Sequence, residues 1–251
     1  MKSKIHFIFP LSLLCLAGAV ITIAPLHAAD DTMSQPAKAA KTNQPHYLMS
    51  GKPAASELLP PPPLPESPEQ AADLAEVQAV YHSATSNDMA VAYSEKKFSI
   101  FNFTPVIGDF FQSNNLPKTT TFFENVQLDA EIVTDLGKNY FHRPRPFTVD
   151  TNLANGKLEK SFAYPSGHST ESMTIAIVLA DLFPDQHEAI LAKARDIGWH
   201  RVEIARHYMT DIYAGRALAQ AVVRALKASP DFQRDFAGVQ AEIAAVKTQK
   251  P

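Results

Sequence analysis

The sequence predicts an α-rich fold, and three observations support that prediction. Ala and Leu recur in windows with the 3.6-residue period of a helix, glycine is scarce at 9 of 251 residues, and the alternating Val/Ile/Thr runs typical of strands are few. Hydrophobic residues make up 45% and charged residues 20% of the chain, an ordinary composition for a globular protein. The net charge of -3 and the lack of a basic run argue against a nucleic-acid partner.

Residues 1–28 are typical of a cleaved secretory signal peptide, with a short basic start, an apolar run over 5–23 and a small residue, Ala28, at the cleavage site. An uncleaved membrane anchor is the alternative, because the apolar run is long for a signal. Cys15, the only cysteine, falls in this segment, so the mature chain would carry no disulfide. We therefore expect a periplasmic protein with no membrane span after signal cleavage.

A flexible leader and a rigid strap are predicted next. Residues 29–57 are rich in Ala, Lys, Ser and Pro, which favours a flexible leader. The run from Pro60 to Pro63 favours polyproline II, which could serve as a ligand for a partner or as a strap across the domain. We prefer the strap, since three leucines flank the run and can pack: Leu58, Leu59 and Leu64. The folded domain is predicted over 58–251.

Helix signals follow the strap. Ser67 and Pro68 begin a capping box and a first helix, whose buried stripe is expected to hold Leu74, Val77 and Tyr81. A second helix is predicted over 87–101, and the residues over 117–121 predict a loop. A long helix is predicted over 124–140 because apolar or aromatic side chains recur at every fourth position: Leu128, Ile132, Leu136 and Tyr140.

The C-terminal half predicts four more helices. The most apolar is predicted over 169–183, and because it is apolar almost all round we expect it to be central. Asp185 and Glu188 form a capping pair for the next helix, which is predicted to end near Gly198. The last two helices are predicted over 207–226 and 229–246.

Pro165-Ser166-Gly167-His168 directly precedes the predicted central helix, where free N–H groups and the helix dipole favour an anion. Gly167 lets the backbone approach a phosphate closely, and Ser166 can donate a hydroxyl hydrogen bond. His168 can give a proton to a leaving alkoxide. The alternative is a serine-capped helix start with an incidental histidine.

His207 and Asp211 are four residues apart, which places them on one face if both lie in a helix. The carboxylate can then hold one ring nitrogen and leave the other free to attack. A surface His–Asp pair is one alternative. A metal site shared with His168 is another, but the sequence has no His-Glu-x-x-His and no Cys/His cluster, so we expect neither metal nor cofactor.

Lys138, Arg145 and Arg201 carry positive charge for the same anion. Arginine suits bidentate contact with phosphate oxygens, whereas lysine acts as a point charge. Taken singly, each is better explained as a solvated surface residue. Together they supply the charge stabilisation that phosphoryl transfer needs without a metal.

These clusters, in this order and spacing, resemble the motifs of the type 2 phosphatidic acid phosphatase superfamily, which also includes the vanadium haloperoxidases. The likeness is closest to the class A bacterial non-specific acid phosphatases and covers nearly the whole mature chain. It includes the proline strap, Lys138 through Phe147, Tyr164 through His168, and Asp211 followed by Ala214-Gly215-Arg216. The resemblance implies a single compact all-α domain whose central helices carry the site of an acid phosphatase.

The resemblance also implies a role for each site residue. His207 would be the nucleophile that forms a phosphohistidine, and Asp211 would orient it. His168 would be the general acid and later the base, so activity is expected to fall near or above pH ~6.5 as it loses its proton. The phosphoryl oxygens would be held by Lys138, Arg145, Ser166, Gly167 and Arg201. The expected partners are small phosphate monoesters of broad range and inhibitory oxyanions such as vanadate, and a homo-oligomer is left open.

Two features depart from the family pattern, and three alternatives stay open. His200 stands where the family commonly has Ser before the arginine that matches Arg201, and the mature part lacks the cysteines that some members pair. The alternatives are a lipid or isoprenoid pyrophosphate phosphatase, a vanadate-dependent haloperoxidase, and a phosphate-binding protein with an inactive site. The lack of a long apolar run after residue 28 disfavours the lipid phosphatase. The acid-phosphatase strap disfavours the haloperoxidase, and the complete set of reactive residues disfavours an inactive binding protein.

Overall fold

The structure, a computed structural model, describes residues 44–248, and these contain helices and loops but no strand. The prediction of an all-α domain is therefore confirmed. In chain order the α-helices are α1 (Ala55–Leu58), α2 (Pro68–Ser83), α3 (Ser86–Ser94), α4 (Thr104–Ile107), α5 (Pro117–Phe141), α6 (Pro146–Val149), α7 (Gly167–Leu182), α8 (His187–Glu203), α9 (Met209–Ala228) and α10 (Pro230–Thr248).

The predicted signal peptide, with Cys15, and the first part of the leader lie outside the described residues. The end of the leader packs against the domain. Asp129, completely buried in α5, accepts N–H hydrogen bonds from His46, Tyr47 and Leu48, and the last two measure 2.8 and 3.0 Å. Several donors offset the cost of burying a carboxylate. The folded part therefore begins at or before His46 rather than at residue 58.

The strap is held at its N-terminal end. Leu59 is buried, whereas Leu58 and Leu64 are exposed, so the expectation that all three leucines pack is met by Leu59 alone. The Tyr164 hydroxyl donates to the Pro60 carbonyl over 2.7 Å. Because Tyr164 directly precedes the Pro-Ser-Gly-His sequence, the strap is fastened next to the predicted anion site.

The helix predicted over 87–101 is divided in the structure. A capping box between Thr85 and Asp88 begins α3, and α3 ends at Ser94. Glu95 leaves the helix, and its carboxylate instead meets Lys193 of α8 at 2.6 Å. A 3₁₀ turn, Ile100–Phe103, follows. The first helix after the strap begins as predicted, since Ser67 Oγ accepts from Gln70 N over 3.1 Å. The second hydrogen bond of the predicted capping box is not formed, and Gln70 Oε1 instead accepts from Arg143 Nη2 over 2.7 Å.

The loop predicted over 117–121 is wrong, because α5 begins at Pro117. Proline is favourable at the first helical position, because an N–H group there would have no acceptor within the helix. The next two free N–H groups, of Lys118 and Thr119, donate to the carboxylate of Glu242 in α10 over 2.9 and 2.8 Å. A residue more than a hundred positions away therefore caps this helix.

The buried face of α5 also differs from its prediction. Leu136 and Tyr140 are 49% and 63% exposed. A Cβ on Gly137 would lie 2.8 Å from Ala55 Cβ and 3.0 Å from Pro165 Cδ, so this glycine lets α5 come close to the chain before α7. The buried stripe passes one residue to the side of the predicted one and consists of Phe122, Val126, Ala130, Val133 and Gly137.

Helix α7 is central, as its apolar composition predicts, and packs against α5, α8 and α9. Its closest approach is to α9: a Cβ on Gly215 would lie 2.8 Å from the Ser166 carbonyl oxygen. Ser169 Oγ donates to the Ile212 carbonyl of α9 over 2.8 Å. These contacts fix the start of α7 against the start of α9.

The boundaries of α8 and α9 correct two predictions. Asp185 does not cap α8, because Pro184–Gln186 form a 3₁₀ turn that leads into it at His187. Helix α8 continues past Gly198 to Glu203, which places Arg201 in its last turn. Helix α9 begins at Met209, so His207 lies in the loop before it.

Within residues 44–248 no helix combines the length and the apolar character that a membrane crossing requires.

Candidate active site

The predicted site residues converge where four helix ends meet. Lys138 lies in the last turn of α5, and Ser166, Gly167 and His168 form the start of α7. Arg201 lies in the last turn of α8. His207 and Asp211 flank the start of α9. Two helix starts, whose N–H groups favour anions, thus face cationic side chains from two helix ends.

His207 and Asp211 contact each other although His207 is outside the helix. His207 Nδ1 lies 3.2 Å from Asp211 Oδ2, and both side chains are buried. The same Oδ2 accepts the Tyr208 N–H over 2.9 Å, because Asp211 caps α9. Since the carboxylate accepts, Nδ1 carries the ring hydrogen and Nε2 has its lone pair free.

Arg145 contacts the free nitrogen of this histidine. Its Nη1 lies 3.2 Å from His207 Nε2 and donates to the Arg206 carbonyl over 2.8 Å. Its Nε donates to the Ser161 carbonyl over 2.7 Å. The guanidinium is therefore fixed by backbone oxygens at the point towards which Nε2 is directed.

Asp211 is completely buried and is also bound by Arg143, whose Nη1 donates to Oδ1 over 2.6 Å. Arg143 Nη2 donates to Asp73 of α2 over 2.6 Å, so one guanidinium bridges two buried carboxylates. Burial raises the pKa of Asp211 above its ordinary value, although Arg143 and the Tyr208 N–H oppose this shift.

Arg201 presents unused donors. Its side chain is 2% exposed, and Nη2 is paired with Glu159 at 2.8 Å. Its Nε and Nη1 are buried and have no hydrogen-bond partner within the described part of the chain. Burial lowers the pKa of Arg201 to about 10, which still leaves it charged at neutral and acid pH. Unpaired buried guanidinium N–H groups are costly, and an oxyanion would satisfy them.

Lys138 lies beside Gly167. A Cβ on Gly167 would come within 3.3 Å of Lys138 Nζ, so only glycine leaves room there. Lys138 Nζ also donates to Asp135 over 3.1 Å. Ser166 is completely buried, and its Oγ accepts the Ser169 N–H over 3.4 Å, as expected for a helix N-cap.

Both histidines are neutral in the free protein. Burial, followed by the charge of Arg201, lowers the pKa of His168 to about 3. Burial and then Arg145 and Arg201 lower the pKa of His207 well below its usual range. This result corrects the expectation that His168 titrates near its ordinary value. His168 Nε2 lies 3.2 Å from the Glu95 carbonyl oxygen, which holds the ring.

His200, the departure from the family pattern, is directed away from Arg201's unused donors. Its Nδ1 lies 2.6 Å from Glu95 Oε2, while Lys193 holds Glu95 Oε1. Burial acts to raise the pKa of Glu95, but the hydrogen bonds from His200 and Lys193 outweigh it and lower this pKa. His200 therefore fastens the segment whose backbone carbonyl contacts His168.

Sequence reasoning missed several charged residues that hold the site together. Arg143 had a signal, since it belongs to the same Arg-Pro-Arg-Pro sequence as Arg145. Glu159, which pairs with both Arg201 and Arg206, had none, because it stands in a polar loop distant in sequence from its partners. Among residues 44–248 no group of three or more His, Cys, Asp or Glu side chains is arranged to hold a metal ion.

Comparisons with known proteins agree with this geometry. The family model described as the PAP2 superfamily matches residues 125–235. Non-specific acid phosphatases of Salmonella typhi and Salmonella typhimurium are 27% and 26% identical over 214 residues, which cover 81% of this chain and 86% of each relative. An acid phosphatase of Zymomonas mobilis is 35% identical over 122 residues, or 45% of this chain and 46% of the relative.

The matched segment contains every predicted site residue, from Lys138 to Asp211. The two Salmonella relatives extend the similarity over most of both chains. Residues 125–235 therefore match the PAP2 superfamily, and over most of its length the chain is similar to the bacterial non-specific acid phosphatases.

Proposed function

We propose that this phosphatase hydrolyses phosphate monoesters through a phosphohistidine formed on His207. One observation supports the proposal above all others: Asp211 holds Nδ1 of His207, so the lone pair of Nε2 is directed at the Arg145 guanidinium, whose Nη1 lies 3.2 Å away and donates to it. A phosphoryl group bound by Arg145, Arg201 and Lys138 would present its phosphorus to that lone pair. Burial, with Arg145 and Arg201, lowers the pKa of His207 and so favours the neutral, nucleophilic ring.

In the first step Nε2 forms a bond to phosphorus and the ester P–O bond breaks. The leaving oxygen takes the electron pair of that bond and a proton from His168. Because the Glu95 carbonyl can only accept, His168 Nε2 keeps its hydrogen, and Nδ1 is the nitrogen that gives the proton. Ser166, Gly167 and the cations stabilise the charge on the other phosphoryl oxygens.

His168 must be protonated for this step, although its pKa is about 3 in the free protein. A phosphate dianion bound beside it brings negative charge and offsets the charges of Arg201 and Lys138. Both effects raise the pKa of His168 in the complex. Substrate binding therefore promotes protonation of His168, and acid pH favours the complex in which His168 is protonated.

In the second step water attacks the phosphohistidine. The P–N bond breaks and its electron pair returns to Nε2, while His168 takes the proton of the water. Inorganic phosphate then leaves. Each phosphoryl oxygen is stabilised by the same donors in both steps, as required when a covalent intermediate is formed and broken.

We also propose broad specificity and export. In the proposed steps the site residues act only on the phosphoryl group and the leaving oxygen, and the non-specific acid phosphatases similar to this chain point the same way. The pattern of the first 28 residues supports secretion to the periplasm. Fractionation would find active protein that begins near Ala29 in the periplasm. Activity only in the cytoplasm would contradict export, and activity only in the membrane pellet would contradict cleavage of the signal.

The mechanism is tested by hydrolysis of p-nitrophenyl phosphate by the His207→Ala variant. We expect its kcat to fall by roughly 10³-fold or more while phosphate still protects the fold. Glu188→Gln, which removes an exposed carboxylate of α8, serves as a control and should keep full activity. A His207→Ala protein with wild-type kcat would overturn the proposal.

A further inference from the structure

Glu171 is a carboxyl group at the site to which the mechanism assigns no role. It lies on α7 four residues after Gly167 and three after His168, so it shares a face of the helix with both. A Cβ on Gly167 would lie 3.2 Å from Glu171 Oε1 and 3.3 Å from Lys138 Nζ. Glu171 and Lys138 therefore border the same point beside the expected phosphoryl position.

The other groups that face Glu171 come from α5. Gln127 Nε2 donates to Glu171 Oε2 over 3.0 Å. Two further carboxylates of α5, Glu131 and Asp135, act on it through their charge, and Asp135 also accepts from Lys138. Glu171 thus has one cationic neighbour and two anionic ones, and its side chain is partly buried.

These surroundings favour the neutral acid. Burial, with Glu131 and Asp135, raises the pKa of Glu171 to about 7, against the opposing effects of Gln127 and Lys138. The histidines of the site titrate far below this range in the free protein. Glu171 is consequently a group of the site that changes charge around neutral pH.

We propose that Glu171 controls the affinity of this site for phosphate dianions according to pH. As a neutral acid it adds no second negative charge beside Lys138, which already contacts Asp135. As a carboxylate it offsets the charge of Lys138 and repels the dianion, so the site binds substrate less well above neutral pH. This inference rests on the proposed function in one respect, namely that the phosphoryl group binds beside Lys138.

The test is the binding of sulfate, measured by calorimetry on the full protein. Sulfate is tetrahedral and keeps two negative charges across the relevant range, whereas phosphate itself titrates near neutrality. We expect the wild-type Kd for sulfate to rise about tenfold between pH ~5.5 and pH ~8.5, the order expected for one added charge near the anion. In Glu171→Gln, which retains an acceptor for Gln127, the rise should shrink to less than about threefold.

Glu131→Gln is the matched control, because it removes a neighbouring exposed carboxylate and leaves Glu171 in place. Loss of this negative charge lowers the pKa of Glu171, so the pH at which sulfate affinity falls should move down without disappearing. A substitution that merely disturbed packing would not move this midpoint.

Turnover provides the second readout. The KM of Glu171→Gln for p-nitrophenyl phosphate at pH ~8 should be several-fold below the wild-type value, with kcat changed little. Equal pH dependence of sulfate binding in wild type and Glu171→Gln would overturn the inference. Sulfate binding requires no turnover, so this result would not depend on whether His207 is the nucleophile. The role of His207 is tested separately, by the His207→Ala variant.

Discussion

At the scale of single residues, the site depends on charges that are buried but paired. His207 is directed by Asp211, Asp211 is held by Arg143, and Arg143 also binds Asp73. Each member would be unfavourable alone in a water-poor interior. The chain of contacts explains how a neutral, oriented imidazole can exist beside several cations.

We expect Arg143→Met to destabilise the protein by about 3–5 kcal/mol near neutral pH, because it leaves two buried carboxylates without their shared cation. Without Arg143 the pKa of Asp211 rises further, so part of the loss should be recovered as pH falls and the carboxyl is protonated. Urea denaturation at acid and neutral pH measures both effects. Arg234→Met, at an exposed ion pair, is the control and should leave the free energy of unfolding nearly unchanged.

Glu171 makes a prediction about stability that is independent of ligand binding. Its pKa in the folded protein, about 7, is above the ordinary value of 4.5, so the folded state binds its proton more tightly than the unfolded state. The stabilisation is complete below pH 4.5 and is lost as pH rises through 7. The difference in free energy of unfolding between wild type and Glu171→Gln should therefore move in favour of the variant as pH rises over this window. A constant difference would show that Glu171 has an unshifted pKa.

The sequence marks the candidate site residues, which the structure brings together, but it does not mark most of their partners. Lys138, Arg145, Ser166, Gly167, His168, Arg201, His207 and Asp211 stand in short motifs whose chemistry points to an anion. Glu159, Glu95 and Asp73 act only through contacts with residues far along the chain. The pKa of His168 was also beyond sequence reasoning, because burial and the charge of Arg201 determine it.

At the scale of elements, the long helix α5 shows why pattern alone is insufficient. Its predicted stripe is exposed at Leu136 and Tyr140, and the buried stripe includes Gly137, which hydropathy does not mark as apolar. Its start at Pro117 depends on capping by Glu242 of α10. Close packing at Gly137 therefore determines which face of α5 is buried, and capping by Glu242 determines where α5 begins. Local periodicity predicted neither.

The junction of α7 and α9 should be sensitive to a single methyl group. In Gly215→Ala the new Cβ would lie 2.8 Å from the Ser166 carbonyl oxygen, and a backbone atom cannot move away cheaply. We expect destabilisation of about 1–3 kcal/mol, from overpacking, and a loss of kcat/KM of at least about tenfold, because Ser166 and Asp211 are displaced from each other.

Gly238→Ala is the control for this experiment. Gly238 lies in α10, and a Cβ there meets nothing within 4 Å, so alanine should be neutral or stabilising. Thermal denaturation and p-nitrophenyl phosphate kinetics on both variants make the comparison. Wild-type kcat/KM in Gly215→Ala would show that the helix junction does not position the site.

At the scale of the whole molecule, the fold brings two helix starts and two helix ends to one point. The all-α class could be predicted from periodicity, and the motifs of the site lie within the part of the chain that matches the PAP2 superfamily. The relative placement of α5, α7, α8 and α9 depends on tight glycine contacts and buried ion pairs. Those contacts are visible only in three dimensions.

The central claim is that His207 carries the phosphoryl group between the two steps. His168→Ala offers a way to accumulate that state, because p-nitrophenolate leaves readily without a proton, whereas attack by water then lacks its base. The protein is mixed with p-nitrophenyl phosphate, quenched in alkali, which preserves phosphohistidine, and digested for mass spectrometry. We predict one phosphate on the peptide at His207, and none when His207→Ala is added to the same variant. A burst of p-nitrophenol with no phosphate on His207, or with phosphate on another residue, would contradict the account.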